Sequence, residues 1–505
     1  MKEKYLLDTT LFSTESLDDC QASLWKTILP KLKYLTEAEL KDVANAFSWM
    51  VISHDKQRRK NGEFYITHPV AAMSILADLG LDKDTLCAAL LHDVPEDTTT
   101  TLKDLSEDFE PSVIFLIEAV TKLSTIKYKG EDRYAENLRR MFVAMSQDLR
   151  VVFIKMADRL HNLYTLGSLP EEKKRRIATE SLEIYAPLAE RLGIAFFRGE
   201  IEDQCFKHLY PVQYQDIITE MDKKIEQSQT VVKSVSSKIK SMLKLNNIEY
   251  INVNGRAKKY YSTYKKMQSK DYPLSKIDDL IAIRIIVNTV QECYQALSLI
   301  HKNFEPKEDR MKDYINKPKP NGYQSLHTSV TDPESKEVFE IQIRTEEMQS
   351  FAEYGVASHW IYKSKNKSDD KAKLMSNESL KWLGDLVDLG NLKWSQDDYL
   401  KHVKLDIFNN RIFVFTPKQD AIDLPIGATP LDFAFRIHYD IGCHASMAKI
   451  NGKAAKLGDE LNNGDTVEIL TDKKQSPKRD WIKLVKTTNA TKHIRSFLRK
   501  AGDIA

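Results

Sequence analysis

The stretch Leu86-Cys-Ala-Ala-Leu-Leu-His-Asp-Val-Pro-Glu-Asp97 decides the fold of the amino-terminal region. An apolar run leads into His92-Asp93, and Glu96-Asp97 follow three residues later. An imidazole next to a carboxylate offers two metal ligands from one turn of chain, and a divalent ion can lower the pKa of a bound water from roughly 16 towards about 7. These residue types indicate a metal-dependent hydrolase, for which phosphoester hydrolysis is the natural reaction.

A His-Asp pair alone is weak evidence, because His and Asp often lie side by side on solvated helix surfaces. Downstream, the apolar residues of 151–165 recur at helical spacing, so Asp158, Asn162 and Thr165 share one face. Upstream, His68 precedes a proline at a predicted helix start, where it either caps the helix or binds a metal.

We therefore predict a metal site of mixed nitrogen and oxygen ligands, a set that suits a first-row ion such as Mn²⁺. The ligands are His68, His92, Asp93 and Asp158. Glu96 and Asp97 are predicted to polarise the attacking water.

Length and charge set the broad class of the protein. A chain of 505 residues is expected to form about three domains. The 75 Lys and Arg nearly balance the 73 Asp and Glu, so no overall field favours nucleic acid. Basic character is local: between Lys473 and Lys500 there are ten Lys or Arg and one acid, Asp480. RNA contact and a solvated helical face are both open for that segment.

Cysteine usage and hydropathy predict the compartment. The five cysteines are scattered and odd in number, without metal-site or redox spacing, which indicates a reducing environment. The sequence contains no apolar run of about 18 residues, and its amino terminus lacks the apolar core of a signal peptide. We expect a soluble cytoplasmic protein without a membrane partner.

The hydrophobic period changes along the chain. Residues from about 20 to 200 read as nearly continuous amphipathic helix, and residues 213–245 as polar helices that connect rather than form a core. From Ile277 the period is that of strands: 279–287 reads as a buried central strand, and 338–345 alternates apolar with polar residues. The polar face of 338–345 either lines a cleft or meets solvent.

The carboxyl-terminal part reads as a separate small domain. The polar run 363–373 reads as a linker or loop. Beyond it, 411–425 has a hairpin pattern, 428–438 a helical one, and 449–453 and 465–470 short strands. This combination predicts a small α+β binding module.

A second group of polar residues lies in the strand region. The segment Asn254-Gly-Arg-Ala-Lys-Lys-Tyr-Tyr-Ser-Thr-Tyr-Lys-Lys266 places a turn glycine and cations at a predicted helix start, which fits either a polyphosphate cradle or a basic surface turn. The segment 310–328 combines cations, a Pro/Gly-shaped loop and a tyrosine, which can clamp phosphates and stack on a base. Asp279 and Glu340 are expected to share a Mg²⁺ ion that bridges ATP phosphates.

Taken together, these motifs resemble the RelA/SpoT family, whose members make and hydrolyse guanosine tetra- and pentaphosphate, (p)ppGpp. The likeness covers almost the whole chain and includes the HD-type hydrolase motifs in 54–69, 91–98 and 158–162. It implies that Arg59, Asn162 and Thr165 hold the nucleotide while its 3′-pyrophosphate is removed at the metal site. Two positions depart from the family pattern, Pro95 for an aliphatic residue and Tyr164 for an arginine.

The second region resembles the family's synthetase, which passes pyrophosphate from ATP to the 3′-hydroxyl of GDP or GTP. The resemblance implies that Arg256 stacks near adenine, that Asp279 and Glu340 bind magnesium, that Glu340 activates the 3′-hydroxyl, and that Tyr323 stacks on guanine. The remaining nucleotide-binding residues that it implies are Lys258, Ser262, Lys266, Arg310, Lys312, Lys319, Asn321, His327, Gln342, Arg344 and His359. The segment 310–313 matches the basic loop of bifunctional members.

The last region resembles the TGS domain, a β-grasp fold that senses transfer RNA on the ribosome in long family members. Where the family commonly has Gly-His-Arg-Cys, this chain has Gly442-Cys-His-Ala445, so His438 is the better candidate for a tRNA contact.

The predicted fold class is therefore multidomain α and α+β. We expect an all-α HD-type hydrolase domain over 1–200, a helical connector over 201–250, a nucleotidyltransferase-like mixed-sheet synthetase domain over 251–385, a linker helix over 386–405, a β-grasp TGS domain over 406–472 and the start of a helical regulatory region over 473–505.

Three functions remain open from sequence. The first is a bifunctional enzyme with both activities, the second a hydrolase whose synthetase domain is weak or regulatory, and the third a ribosome-bound tRNA sensor with vestigial catalysis. Because running both reactions together would only consume ATP, we expect the 201–250 connector to couple the two sites so that nucleotide in one disfavours the other.

Overall fold

The computed structural model describes residues 17–124, 131–274, 280–307, 310–319, 321–355, 358, 411–418 and 420–502. The chain forms two compact units, Met1–Lys122 with Asp148–Asp370 and Leu123–Gln147 with Lys371–Ala505. Within the described residues, no helix is both long and apolar enough to cross a membrane. Four predicted features lie outside the described residues, namely Asp279, His359, the 363–373 linker or loop and the 386–405 linker helix.

The helices are numbered in chain order. They are α1 (Leu17–Ile28), α2 (Glu37–Ser53), α3 (Thr67–Asp78), α4 (Lys83–Leu91), α5 (Val94–Asp97), α6 (Leu102–Leu105), α7 (Pro111–Ser124), α8 (Glu131–Gln147), α9 (Arg150–Tyr164), α10 (Glu171–Glu180), α11 (Ala186–Arg191), α12 (Ala195–Leu209), α13 (Pro211–Leu245), α14 (Tyr260–Lys270), α15 (Val290–Asn303), α16 (Glu346–Tyr354), α17 (Pro430–Ile437), α18 (Tyr439–Cys443), α19 (Trp481–Leu484) and α20 (Thr488–Lys500).

The strands are numbered in the same way. They are β1 (Tyr250–Ala257), β2 (Ile281–Val287), β3 (Glu305–Pro306), β4 (Lys312–Asp313), β5 (Leu326–Thr331), β6 (Val338–Thr345), β7 (Arg411–Phe415), β8 (Ala421–Pro425), β9 (Ala445–Ile450), β10 (Lys453–Ala455) and β11 (Val467–Thr471).

Helices α3, α4 and α9 form the centre of the amino-terminal region, as the helical period predicts. Helix α3 contacts both α4 and α9. Residues 67–77 of α3 and 85–91 of α4 are all buried, including His68. Asp82 caps α4 by accepting a hydrogen bond from the Thr85 backbone. A polar residue inside such a core needs partners, which directs attention to His68.

A mixed sheet forms the second half of the first unit. Its strand order is β1-β2-β6-β5-β3, with β4 paired to β5. Strands β2 and β6 are parallel, and the other pairings are antiparallel. The alternation predicted for β6 is confirmed, because Phe339, Ile341 and Ile343 enter the core while Glu340 and Gln342 stay only partly buried.

Helix α13 is more than the connector that its polar sequence predicts. Val235, Ile239 and Leu243 from its second half belong to the core cluster of the sheet. Gly255 lies inside β1 and not in the predicted turn. A Cβ atom at Gly255 would lie 2.6 Å from Cγ1 of Val232 on α13, so glycine allows the helix to approach the strand.

The second unit contains the hairpin β7–β8 and the sheet β10-β9-β11 beside helix α17. The predicted strand at 449–453 is wrong in detail: β9 ends at Ile450, and Asn451 and Gly452 make the turn into β10 with positive φ. The basic segment after 473 packs on this module, because Ile494 and Leu498 share a core cluster with Leu431.

One carboxylate joins the two ends of this module. Asp432 is fully buried and accepts hydrogen bonds from the Thr429 backbone at the start of α17 and from the Lys486 and Thr487 backbones before α20. It therefore stabilises the first turns of two helices that are distant in sequence.

Candidate functional site

The first candidate site lies where α3, α4 and α9 meet. His68 is the second residue of α3, His92 follows α4, and Asp158 lies on α9. One ligand atom from each of these three residues lies within 4.8 Å of the other two, in the part of the chain that the structure describes. The three side chains are buried. Helices remote in sequence therefore assemble the predicted ligands into one cluster.

Asp93 completes this group from the start of α5. Its Oδ1 lies 3.1 Å from Nε2 of His92 and its Oδ2 lies 3.5 Å from Nε2 of His68. The Tyr65 hydroxyl lies within hydrogen-bond distance of both Asp93 Oδ2, at 2.9 Å, and Asp97 Oδ2, at 2.5 Å. Burial by itself would raise the pKa of Asp93, but the neighbouring His92 and His68 hold that pKa below its usual value.

Asp158 is oriented by two neighbours on α9. Lys155 donates to its Oδ2 at 2.8 Å, and the Asn162 amide donates to its Oδ1. Burial alone would raise the pKa of Asp158, but Lys155 and His68 hold it well below the ordinary range. The carboxylate is therefore charged, with Oδ1 lying 3.3 Å from Nε2 of His68.

The cluster fits a divalent cation. Nδ1 of His92 is 2.8 Å from the Ala89 carbonyl oxygen and donates its hydrogen there, which leaves Nε2 with a lone pair. Nε2 of His92 is buried and has no hydrogen-bond partner among the described residues. A buried lone pair beside two carboxylates is costly unless a positive charge lies between them.

The residues predicted to act on water and nucleotide surround this cluster. Burial raises the pKa of Glu96 to about 7, in spite of the opposing charge of Lys155, so this carboxyl can exchange a proton near neutral pH. Nη2 of Arg59 donates a hydrogen bond to Asn162 Oδ1 at 3.2 Å. The Thr165 hydroxyl donates to the His161 carbonyl at the end of α9.

The second candidate site is the polar face of the mixed sheet, where hydrogen bonds connect five side chains in a row. Gln342 donates to Glu340 Oε1 at 2.7 Å, Arg344 donates to Gln342 Oε1 at 2.7 Å and to the Tyr323 hydroxyl at 3.0 Å, and that hydroxyl lies 2.8 Å from His327 Nε2. Nδ1 of His327 is 3.4 Å from Glu340 Oε1. Burial lowers the pKa of His327 to about 3, helped by Arg344 and Lys319, so this imidazole is neutral.

Positive charge is concentrated on the same face. Burial lowers the pKa of Arg344 to about 10, and Arg284 and Arg256 act in the same direction because like charges repel. Burial and Arg284 also lower the pKa of Arg256. Nε and Nη2 of Arg284 and Nε of Arg344 are buried without a hydrogen-bond partner in the described part of the chain. Such a cleft favours an anionic ligand.

The Tyr323 ring lies close to two cations, Lys319 and Arg344. Lys319 Nζ is 5.1 Å and the Arg344 guanidinium carbon 5.2 Å from its centroid. Gly322 precedes it with φ +80°, and Asn321 Oδ1 accepts from the Tyr323 backbone at 3.2 Å. The loop thus presents an aromatic ring at the cleft.

The other predicted nucleotide-binding residues lie on or beside β1, α14 and β4. Lys258 follows β1, and Ser262 and Lys266 lie one turn apart on α14. Lys312 is paired with His327 across β4 and β5, and Arg310 is exposed just before β4.

Acids of α12 meet helix α14 within the first unit. Asp203 Oδ1 accepts from the Tyr261 backbone at 2.9 Å, at the start of α14. Glu200 binds Lys259 and also accepts from the Tyr164 hydroxyl at 2.9 Å. The end of α9 and the start of α14 are therefore connected through α12.

Sequence reasoning missed several residues of these sites. His161, Tyr65 and Lys155 contact the predicted ligands, and Arg284 lies on the cleft face of a strand whose sequence is largely apolar. Arg284 carried a signal, because a cation inside an apolar run needs a partner. Its Nη1 donates to Glu353 Oε1 at 2.9 Å.

Three family models match: an HD domain at residues 46–195, a region found in RelA/SpoT proteins at 255–367 and a TGS domain at 412–471. The bifunctional (p)ppGpp synthase/hydrolase SpoT of Escherichia coli is 42% identical over 92% of this chain and 66% of its own length. The chain belongs to the RelA/SpoT family.

Other members of the RelA/SpoT family show similar likeness. The probable guanosine-3′,5′-bis(diphosphate) 3′-pyrophosphohydrolase of Synechocystis is 42% identical over 96% of this chain and 64% of its own length, and the GTP pyrophosphokinase of Myxococcus xanthus is 41% identical over 93% and 62%. The chain therefore spans less than two thirds of the length of these relatives. Among solved structures, small alarmone synthetase 1 from Bacillus subtilis matches 34% of this chain and 93% of its own, with 25% identity and a TM-score of 0.25.

The family confirms the predicted fold class of an HD domain, a mixed-sheet synthetase domain and a TGS domain. An HD domain implies a divalent metal, and the cluster of His68, His92 and Asp158 fits one. The predicted domain limits and residue roles stay predictions.

Proposed function

We propose that this chain is a bifunctional alarmone enzyme, which makes (p)ppGpp from ATP and GDP or GTP and hydrolyses it to GDP or GTP and pyrophosphate. One observation carries the proposal: the same unit contains a buried His/Asp cluster suited to a cation and a separate basic cleft around Glu340 and Tyr323. Family membership supports both activities.

For hydrolysis, His68, His92, Asp93 and Asp158 would hold a Mn²⁺ ion, which when bound supplies a neutral-pH source of hydroxide and neutralises phosphate charge. Arg59, Asn162 and Thr165 would hold the nucleotide. Water adds to the phosphorus bonded to O3′, the P–O3′ bond breaks, and O3′ takes up the proton that Glu96 removes from the water. Glu96, with its pKa about 7, accepts a proton from that water, and Tyr65 keeps Asp97 beside Asp93.

For synthesis, the 3′-hydroxyl oxygen of GDP or GTP attacks the β-phosphorus of ATP, and AMP leaves. Glu340 takes the proton of that hydroxyl, and together with Asp279 it would hold a Mg²⁺ ion. Gln342 orients Glu340 through the bond to Oε1. Tyr323 would stack on guanine, while Arg256, Arg284 and Arg344 bind phosphate or stack on adenine, and Lys258, Ser262 and Lys266 approach the ATP phosphates.

The second unit is proposed to contact tRNA and the ribosome. His438 is exposed at the junction of α17 and α18, where its Nδ1 accepts from the Asp440 backbone at 3.2 Å. In contrast, Gly442 and Cys443 are buried, and Gly442 packs against the Phe435 ring. These positions favour His438 over residues 442–445 as the tRNA contact. Because the chain acts on ATP and GDP, we place it in the cytoplasm.

The test uses three proteins and two incubations. The wild-type chain, Asp93→Asn and Glu340→Gln are each given ATP, GDP and Mg²⁺, and separately the tetraphosphate and Mn²⁺. We expect Asp93→Asn to accumulate product without degrading it and Glu340→Gln to degrade without synthesis. If Asp93→Asn makes no product, the proposal is wrong and the chain is a hydrolase with a regulatory synthetase domain. If the wild-type chain catalyses neither reaction, the chain is a tRNA sensor with vestigial catalysis.

A further inference from the structure

His68 and His161 share one hydrogen atom in the interior of the hydrolase region. Their Nδ1 atoms are 2.7 Å apart, and each side chain is only 4% exposed. At that distance one nitrogen must donate and the other accept, because two lone pairs or two N–H groups would repel each other.

Arg59 decides which of the two nitrogens donates. Its Nη1 lies 3.2 Å from Nδ1 of His161. A guanidinium group has only donors, so Nδ1 of His161 must offer its lone pair to Arg59. The hydrogen between the two rings therefore belongs to Nδ1 of His68.

This assignment determines what His68 presents to the metal cluster. With hydrogen on Nδ1, the neutral ring has a lone pair on Nε2, the atom that lies 3.3 Å from Asp158 Oδ1 and 3.5 Å from Asp93 Oδ2. His92 is in the same tautomer, with hydrogen on Nδ1, because its Nδ1 donates to the Ala89 carbonyl. Both imidazoles thus turn Nε2 towards one point.

We propose that His161 is a positioning residue for the metal site, because its Nδ1 accepts the hydrogen of His68 and so holds His68 in the tautomer that can ligate through Nε2. The inference rests on the proposed metal-dependent hydrolase. His161 itself touches neither metal nor substrate in this role. Arg59 supports this role because its Nη1 also donates to Nδ1 of His161, so that nitrogen stays without hydrogen. Its Nη2 donates to Asn162, whose amide orients Asp158.

A matched pair of variants tests the proposal. Asn and Leu have nearly the same shape, but only Asn places an acceptor oxygen where Nδ1 of His161 lies. Mn²⁺ affinity of the full chain is measured by titration calorimetry. We expect His161→Leu to weaken Mn²⁺ binding about 10- to 100-fold, as is usual when the partner of a ligating histidine is removed, and His161→Asn to stay within about threefold of wild type. Equal binding by Leu and wild type, or equal loss in both variants, would overturn the proposal.

A second measurement needs no variant of His161. In metal-free wild-type protein labelled with ¹⁵N-histidine, long-range ¹⁵N–¹H correlation distinguishes the two tautomers of each ring, and the His68 signal is assigned by its disappearance in His68→Asn. We expect His68 to carry hydrogen on Nδ1, and hydrogen on Nε2 would contradict the inference. If wild type binds no Mn²⁺, the hydrolase centre itself fails, whereas Mn²⁺ binding with the other tautomer rejects only the role of His161.

Discussion

At the scale of single residues, the partners of a side chain decide what it can do. Nε2 of His92 is available to a cation because Nδ1 donates to a main-chain carbonyl, and His327 is neutral because burial and Arg344 disfavour its charge. Helical spacing was enough to place Asp158 and Asn162 on one face. It did not identify His161, because the residue that gives His161 its role lies 93 positions away in the sequence.

The Tyr323 hydroxyl gives a prediction at this scale. Tyr323→Phe keeps the ring for stacking but leaves Arg344 and His327 Nε2 without the oxygen between them. Because unsatisfied polar groups in a cleft cost about 1–3 kcal/mol, we expect kcat/KM for GDP in synthesis to fall about tenfold. Steady-state kinetics at saturating ATP measures this.

Tyr314→Phe is the control, since the Tyr314 ring also lies near Lys319, at 4.8 Å, and makes a T-shaped contact with the Tyr323 ring. It should change kcat/KM less than twofold. A Tyr323→Phe enzyme as active as wild type would show that the hydrogen bonds of the Tyr323 hydroxyl do not support GDP binding.

At the scale of elements, the approach of α13 to β1 depends on one missing side chain. In Gly255→Ala the new Cβ would lie 2.6 Å from Cγ1 of Val232, so the helix must shift. We expect a loss of about 1–3 kcal/mol in the free energy of unfolding, which is typical of overpacking. Urea denaturation of the full chain, followed through the transition of the first unit, measures it.

Val232→Ala supplies the compensating change, because it removes the atom that would collide. Gly255→Ala should cost clearly less in the Val232→Ala background than in wild type. Strictly additive effects in this double-mutant cycle would mean that the close contact is not the reason for glycine.

Helix α14 gives a prediction about pH. Burial raises the pKa of Asp203, which accepts the Tyr261 backbone N–H, to about 6 from an ordinary 3.8. An acid whose pKa is higher in the folded chain takes up a proton on folding, so the free energy of unfolding decreases as pH rises from about 4 to about 6 and stays lower above that window.

Asp203→Asn keeps an acceptor oxygen but cannot ionise. Relative to wild type, we expect this variant to gain roughly 2–3 kcal/mol of stability between pH 4 and pH 7. Parallel urea titrations at several pH values compare the two proteins. Identical pH dependence in both would show that Asp203 titrates normally.

The sequence predicted helices and strands better than it predicted what they pack against. The alternation in β6 and the helical period of α9 are local patterns, and both are confirmed. The local sequence predicts a turn at Gly255 and a connector at α13, and both predictions are wrong. The glycine is needed because α13 packs closely on β1, and this contact joins Gly255 to Val232, 23 positions away in the sequence. The sequence did not identify Arg284 for a related reason. The apolar residues directly before and after it point to the opposite face of the strand, so they say nothing about the cleft face.

At the scale of the first unit, the hydrolase and synthetase regions share a polar contact. Tyr164 lies two residues after Asn162, and its hydroxyl donates to Glu200, which also binds Lys259 next to Lys258. Helix α12 thus contacts residues that neighbour both predicted nucleotide sites in the sequence. This contact lies just before the 201–250 segment that we expected to couple the two reactions.

We predict that this contact transmits the coupling. In wild type, GDP with a non-hydrolysable ATP analogue should slow (p)ppGpp hydrolysis, since typical coupling free energies are about 1–3 kcal/mol. Tyr164→Phe removes the hydroxyl that binds Glu200 and should reduce that inhibition at least about threefold. Tyr34→Phe, which loses a comparable bond to the Leu81 carbonyl, is the control and should behave as wild type. Unchanged inhibition in Tyr164→Phe would exclude this route.

The buried Asp432 has a consequence for the order in which the chain acquires structure during translation. Its carboxylate accepts hydrogen bonds from the start of α17 and also from the backbone amides of Lys486 and Thr487. Those two residues are synthesised more than fifty residues later. Until that later segment has left the exit tunnel, the acid is buried with only part of its bonding satisfied. The β-grasp module is therefore expected to reach its native rigidity late, once the ribosome has translated well beyond its last strand.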